Sequence, residues 1–160
     1  MQDLVEKLAA LLQAKNMTLV TAESCTGGLL AATITFRPGT SSMFERGFIT
    51  YSNESKIDLL KVPQEVIEKY GAVSAETAQA MAQGALENSR ANLGVSITGI
   101  AGPDGGSEEK PVGLVFFGYA LRGGSAGTIE HRFSGKRHEI QAEATQTAIK
   151  HLISVLDKDA

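Results

Sequence analysis

The first apolar positions of the chain, Leu4, Leu8, Leu11 and Leu12, recur at i, i+4, i+7 and i+8 and share one face of a helix. Asn16 is a natural stop. Residues 17–22 read as a buried strand, and 28–35 as a short helix closed by Arg37-Pro38-Gly39. A second strand is expected over 46–51. Asn53 is placed to cap a helix over 54–60, and Pro63 to open another that ends at Gly71. Ser74 caps the next helix, with Glu76 in its first turn. Its apolar stripe is Ala78, Met81, Ala82 and Ala85, and it runs to about Arg90. Residues 93–98 form a strand followed by a long loop. Two further strands, 113–121 and 126–133, join through Arg122-Gly123-Gly124, short enough for an antiparallel hairpin. Gly135 precedes the last helix, whose apolar face is Ile140, Ala144, Ala148, Leu152 and Val155.

Helices that alternate with strands and end in a hairpin predict an α/β fold. The expected form is a three-layer α/β/α sandwich around a mixed, mostly parallel sheet with one antiparallel member. One domain is expected across residues 1–160. In such sheets ligands sit beyond the carboxyl ends of the strands. Three of those ends are Glu23-Ser24, Tyr51-Ser52 and Thr98-Gly99, the most polar stretches of the chain.

Composition narrows the function. Apolar content of 42% and charged content of 21% belong to a globular protein. No apolar run is long enough to span a membrane, and Asp3, Glu6, Lys7 and Lys15 argue against a leader peptide, so a cytoplasmic location is expected. A formal charge of −3, scattered basic residues and no tryptophan argue against direct nucleic-acid binding. The single cysteine and three histidines (His131, His138, His151) show no ligand spacing, so neither metal nor cofactor is expected. Glycine departs from the ordinary: there are 17, clustered at 27–28, 99–106, 113–118 and 123–127, where the usual share is roughly 7%. Clustered glycine marks tight turns or backbone held close to a ligand.

Three loops concentrate the reactive chemistry. In T-A-E-S-C-T-G-G, residues 21–28, a strand feeds a helix through two glycines. Its free N–H groups suit a phosphate or a developing oxyanion. The plainer reading is that Ser24, Cys25 or Thr26 only caps the helix. In Y-S-N-E-S-K, residues 51–56, Lys56 lies a turn into a helix and can reach back to the strand ends. Lysine there is ordinarily a solvated charge; in a partly buried cleft it loses its proton more readily and can deprotonate a serine. The third loop, T-G-I-A-G-P-D-G-G-S-E-E-K-P-V-G, is too long and too rich in specified turns for idle coil. Its tip, Ser107-Glu108-Glu109-Lys110, is either solvated or closes over a substrate. Cys25 is the alternative nucleophile, but a thiol needs a basic partner and none is placed near it, so core packing is the better expectation. Glu23 is expected to bond nearby backbone N–H groups.

These loops, with Y-G-A-V-S-A-E-T between the second and third, resemble the CinA carboxy-terminal domain family from about residue 3 to 155. Larger members carry an added amino-terminal domain, for which this chain has no room. The resemblance implies a metal-free hydrolase converting the carboxamide of nicotinamide mononucleotide to nicotinate mononucleotide and ammonia, a step of pyridine nucleotide recycling. It implies Ser24 as nucleophile, Lys56 as general base, and Tyr51 orienting Lys56 or sharing its proton. Backbone of Cys25, Thr26, Gly27 and Gly28 is implied to hold the oxyanion or phosphate. Thr98, Gly99, Gly102, Gly105 and Gly106 should line the nucleotide pocket, and Arg137 should bind phosphate. One departure stands out: the family commonly reads G-D-R-x-x-V-R where this chain has Gly135-Lys136-Arg137-His138-Glu139-Ile140-Gln141. Lys136 and Gln141 therefore put the strength of nucleotide binding in question. Two alternatives stay open, an inactive nucleotide-binding paralogue and an interaction protein of competence or DNA damage. The helix face 78–85 suits either the core or a homo-oligomer interface.

Overall fold

The structure, a computed structural model, describes residues 1–158; the last two positions of the expected 1–160 domain lie outside it. Helix α1 (Gln2–Ala14) leads to strand β1 (Leu19–Glu23), helix α2 (Leu29–Thr35), a 3-10 turn (Thr40–Ser42) and β2 (Phe44–Ile49). Helices α3 (Asn53–Leu60), α4 (Gln64–Tyr70) and α5 (Ala75–Glu87) follow in sequence. The chain closes with β3 (Leu93–Gly99), β4 (Leu114–Leu121), β5 (Ala126–Arg132) and α6 (Arg137–Lys158).

The sheet order is β2-β1-β3-β4-β5, with β2, β1 and β3 parallel and β4 antiparallel to both its neighbours. Four strands thus point one way and β4 alone runs against them, as the pattern predicted. The connection from β1 leaves to one side and β3 returns on the other, so the switch point of the sheet lies at the carboxyl end of β1.

Alternation along the strands explains the layers. In β3, Leu93, Val95 and Ile97 face a core shared with α1, α2 and α6. From β1, Val20 and Ala22 face the opposite layer, where Leu60 of α3, Ile67 of α4 and Met81 and Ala85 of α5 meet them. Helix α5 lies close on the sheet because the surface beneath it is small. A Cβ at Gly94 would sit 2.7 Å from the Ala82 carbonyl oxygen, and one at Gly118 would strike that of Ala78. The face 78–85 is therefore core: Ala78, Met81, Ala82 and Ala85 are fully buried, and it offers no interface.

Several boundaries move. In α1 the buried stripe is Val5, Leu8, Ala9 and Leu12, while Leu4 and Leu11 flank it half-buried. Strand β2 starts two residues early because Phe44 pairs with Leu19, which leaves Thr50 and Tyr51 beyond its end. Ser52, not Asn53, caps α3, accepting the Ser55 N–H at 3.1 Å. Ser74 caps α5 as expected, but α5 stops at Glu87. Among the described residues no helix is long and apolar enough to cross a membrane.

Candidate active site

Ser24 is the first residue past β1, and its N–H continues the ladder to the Ile97 carbonyl at 2.9 Å. The chain then turns sharply into α2 through Gly27 and Gly28, at φ of +59° and +103°, a region that residues with a Cβ rarely adopt. Glu23 organises this turn. Its fully buried carboxylate accepts the Thr26 hydroxyl at 2.6 Å and the Leu30 and Ala31 N–H groups at 2.8 and 3.0 Å. That confirms Glu23 as a backbone-bonding carboxylate and corrects the role expected for the helix end. The Leu30 and Ala31 amides are already taken by this side chain and the Leu29 amide by the Thr26 carbonyl, so they are not open to phosphate. Thr26, Gly27 and Gly28 shape the turn and do not line the cleft.

Lys56 comes to Ser24 from α3. Its side chain is only 1% exposed, and Nζ stands 3.0 Å from Ser24 Oγ. Nζ also donates to the Thr50 and Tyr51 carbonyls at 2.8 and 3.2 Å, with the Ser52 carbonyl at 3.5 Å. Chiefly through burial, and against the opposing pull of nearby Glu54, the amine falls from its ordinary 10.5 to about 8. In its neutral form two N–H bonds hold the carbonyls and the lone pair remains for the serine proton. The thiol beside it goes the other way. Burial pushes Cys25 up to about 12, so it stays protonated and inert, packed in the core.

The opposite wall is built by the turns after β3 and α4. Thr98 is buried and donates to the Ala72 carbonyl at 2.8 Å, which fixes the 71–74 turn across the cleft. Lys110 ties the long loop to α4 through the Tyr70 carbonyl at 2.7 Å. Gly99, Gly102 and Gly105 line the cleft; Gly106 does not, being packed inside the loop against Val112. Arg137, at the first residue of α6, donates to the Gly102 carbonyl at 2.7 Å and to the Tyr51 hydroxyl at 3.0 Å. Tyr51 thus holds Lys56 by its main-chain oxygen, while its exposed phenol belongs to Arg137, not to the lysine. The cleft measures about 240 Å³.

The two departures near Arg137 also find places. Lys136 is exposed at the start of α6, where its N–H donates to the Glu139 carboxylate at 2.9 Å. Gln141 lies outside the cleft and donates to the Cys25 carbonyl at 2.9 Å. Asn53, expected only as a helix cap, lines the cleft together with Asp104, Ala72 and Val73, none of which was expected in the site. Asn53 and Asp104 sit in two of the three unusual loops, and Ala72 and Val73 in the turn between α4 and α5, but no residue type among them announces chemistry alone. Among the described residues no group of three or more His, Cys, Asp or Glu side chains could hold a metal.

Fold and site together define a three-layer α/β protein with a buried serine–lysine pair where the central parallel strands end. The model of the CinA C-terminal domain matches residues 1–156, and the chain belongs to that family. Over 152 residues it is 48% identical to the nicotinamide-nucleotide amidohydrolase PncC of Escherichia coli, covering 95% of this chain and 92% of that protein. A protein of Caldicellulosiruptor bescii named as competence-damage inducible is 50% identical over 151 residues; the match takes 94% of this chain but only 36% of that longer protein. The crystal structure of the competence/damage inducible protein CihA from Agrobacterium tumefaciens superposes with a TM-score of 0.93 at 44% identity, covering 97% of this chain and 94% of the other.

Proposed function

We propose that this chain hydrolyses the carboxamide of nicotinamide mononucleotide to nicotinate mononucleotide and ammonia, by way of an acyl-enzyme on Ser24. The observation that carries the reading is Lys56 Nζ, buried and 3.0 Å from Ser24 Oγ. Its depressed value near 8 leaves roughly a tenth of the molecules with a neutral amine at pH 7, several hundredfold more than for an ordinary lysine. That is the property a serine activator needs.

Neutral Lys56 takes the Ser24 proton as Oγ attacks the carboxamide carbon. The resulting ammonium protonates the leaving nitrogen, and ammonia departs from the Ser24 ester. Water then attacks the ester while Lys56 again accepts a proton, and collapse frees the nicotinate carboxylate and restores the Ser24 hydroxyl. Cys25 lines the cleft next to the nucleophile, so its N–H is the donor assigned to the oxyanion. Arg137, exposed at the cleft, is assigned to the substrate phosphate.

The PncC relatives support the substrate, since they are nicotinamide-nucleotide amidohydrolases by name. The product would re-enter pyridine nucleotide synthesis, which makes the step one of recycling. Purified protein, treated with chelator, is to be incubated with nicotinamide mononucleotide, nicotinamide riboside and NAD while ammonia and the acid products are measured. The expected result is stoichiometric nicotinate mononucleotide from the mononucleotide, with slower or no reaction of the riboside. No ammonia from any of the three would reject the reading.

A further inference from the structure

The turn that carries Ser24 is tied to β3 and to its own neighbours. Ser24 N–H is bound to β3, the Ser24 carbonyl accepts from Gly27 at 3.1 Å, and the Thr26 carbonyl accepts from Leu29 at 3.0 Å. Glu23 takes the Thr26 hydroxyl. The Cys25 carbonyl is tied to a further element. Its bond comes from Gln141, 116 residues away on α6, at 2.9 Å and half-buried. Gln141 stands four residues after Arg137, so both project from one face of the helix. One helical turn thus touches the cleft wall through Arg137 and the nucleophile turn through Gln141.

We propose that Gln141 is a positioning residue for Ser24: its amide holds the Cys25–Thr26 peptide plane, and so the nucleophile, in register with Lys56. The peptide is rigid and trans, so fixing its oxygen also fixes the Thr26 N–H on the opposite side of the bond. The requirement is for a donor at position 141, not for glutamine as such. An arginine there would meet it with a longer arm. The proposal rests on Ser24 being the activated nucleophile, but not on the identity of the substrate.

Labelling by a fluorophosphonate tests it without nucleotide. Ser24 Oγ forms a bond to phosphorus, the P–F bond breaks, fluoride leaves and the serine proton passes to Lys56; intact mass then reports the adduct. Gln141→Met and Gln141→Glu keep the length of the side chain and remove the donor, whereas Gln141→Arg keeps a donor. The first two are expected to label roughly ten- to a hundredfold more slowly than the parent. Their kcat for nicotinamide mononucleotide should fall by the same factor, with KM and melting temperature near the parental values. Gln141→Arg should label at close to the parental rate. Parental labelling by Gln141→Met and Gln141→Glu overturns the proposal, and so does a Gln141→Arg variant as slow as they are. A parent that labels at Ser24 but releases no ammonia from the mononucleotide rejects the amidase reading alone, and the labelling series still decides Gln141. A parent that does not label at Ser24 overturns both.

Discussion

Burial of one amine sets the chemistry at the scale of single residues. Lys56 is wrapped by α3 and the end of β2, and every N–H it carries already has an acceptor. Desolvation disfavours the charged form and outweighs the pull of Glu54 that would raise the value. Two results follow for pH. Turnover should rise with pH and level off above about 8 as the amine loses its proton, which a rate profile on the mononucleotide would trace. A flat profile across that range would contradict the base assignment. Stability shifts in the same direction. The folded amine titrates near 8 and the unfolded one near 10.5, so between them the unfolded chain binds more protons and stability grows with pH. Lys56→Met removes that slope, and denaturation of the two proteins at pH 7.5 and 10 should show it. The pattern put Ser24 and Lys56 beyond the ends of strands of a parallel sheet, and the family resemblance paired them. The exposure of Tyr51 was not legible: β2 ends at Ile49, and only the register with β1 decides that.

Among the elements, α3 must be held at a fixed depth for Lys56 to reach Ser24. It is held by α5 at a glycine. A Cβ at Gly84 would fall on the Leu60 carbonyl at the end of α3. Gly84→Ala should therefore destabilise the protein by about 1–3 kcal/mol despite alanine's better helix propensity, and should lower turnover as well. A thermal melt unchanged or raised would show that α3 and α5 do not pack this closely. Read from sequence, Gly84 is only a weak spot in a helical stripe, because a close approach between two helices leaves no local signature. The turn into α2 was half legible. Its glycines announced positive φ, and Glu23 was expected to seek backbone donors. What the pattern could not tell is that Glu23 takes the α2 amides itself and shuts that helix end to a ligand. The antiparallel pairing of β4 with β5, by contrast, followed from the short 122–124 turn, whereas the order of the strands came only from the structure.

For the whole molecule, the cleft closes around parts far apart in the chain. Tyr51 follows β2, Gly102 follows β3, and Arg137 opens the last helix and binds both. Ligand contact at Arg137 therefore bears on both walls at once. Arg137→Ala should raise KM for the mononucleotide by roughly ten- to a hundredfold, the worth of a charge-assisted contact, and reduce the rise in melting temperature that the product gives the parent. An unchanged KM would remove the phosphate from Arg137. Such long-range joins are what the sequence shows least. Lys136 and Gln141 looked like threats to binding, yet both lie off the cleft, and Gln141 supports the nucleophile turn instead.

The central claim is that Ser24 and Lys56 act as one catalytic unit, and ammonia release from nicotinamide mononucleotide by the parent, Ser24→Ala, Lys56→Met and Cys25→Ala tests it most directly. Turnover by the parent and Cys25→Ala is expected, with Lys56→Met slowed by about 10²–10⁴ and Ser24→Ala at least as much. Near-parental turnover by Ser24→Ala, or loss confined to Cys25→Ala, would contradict the account.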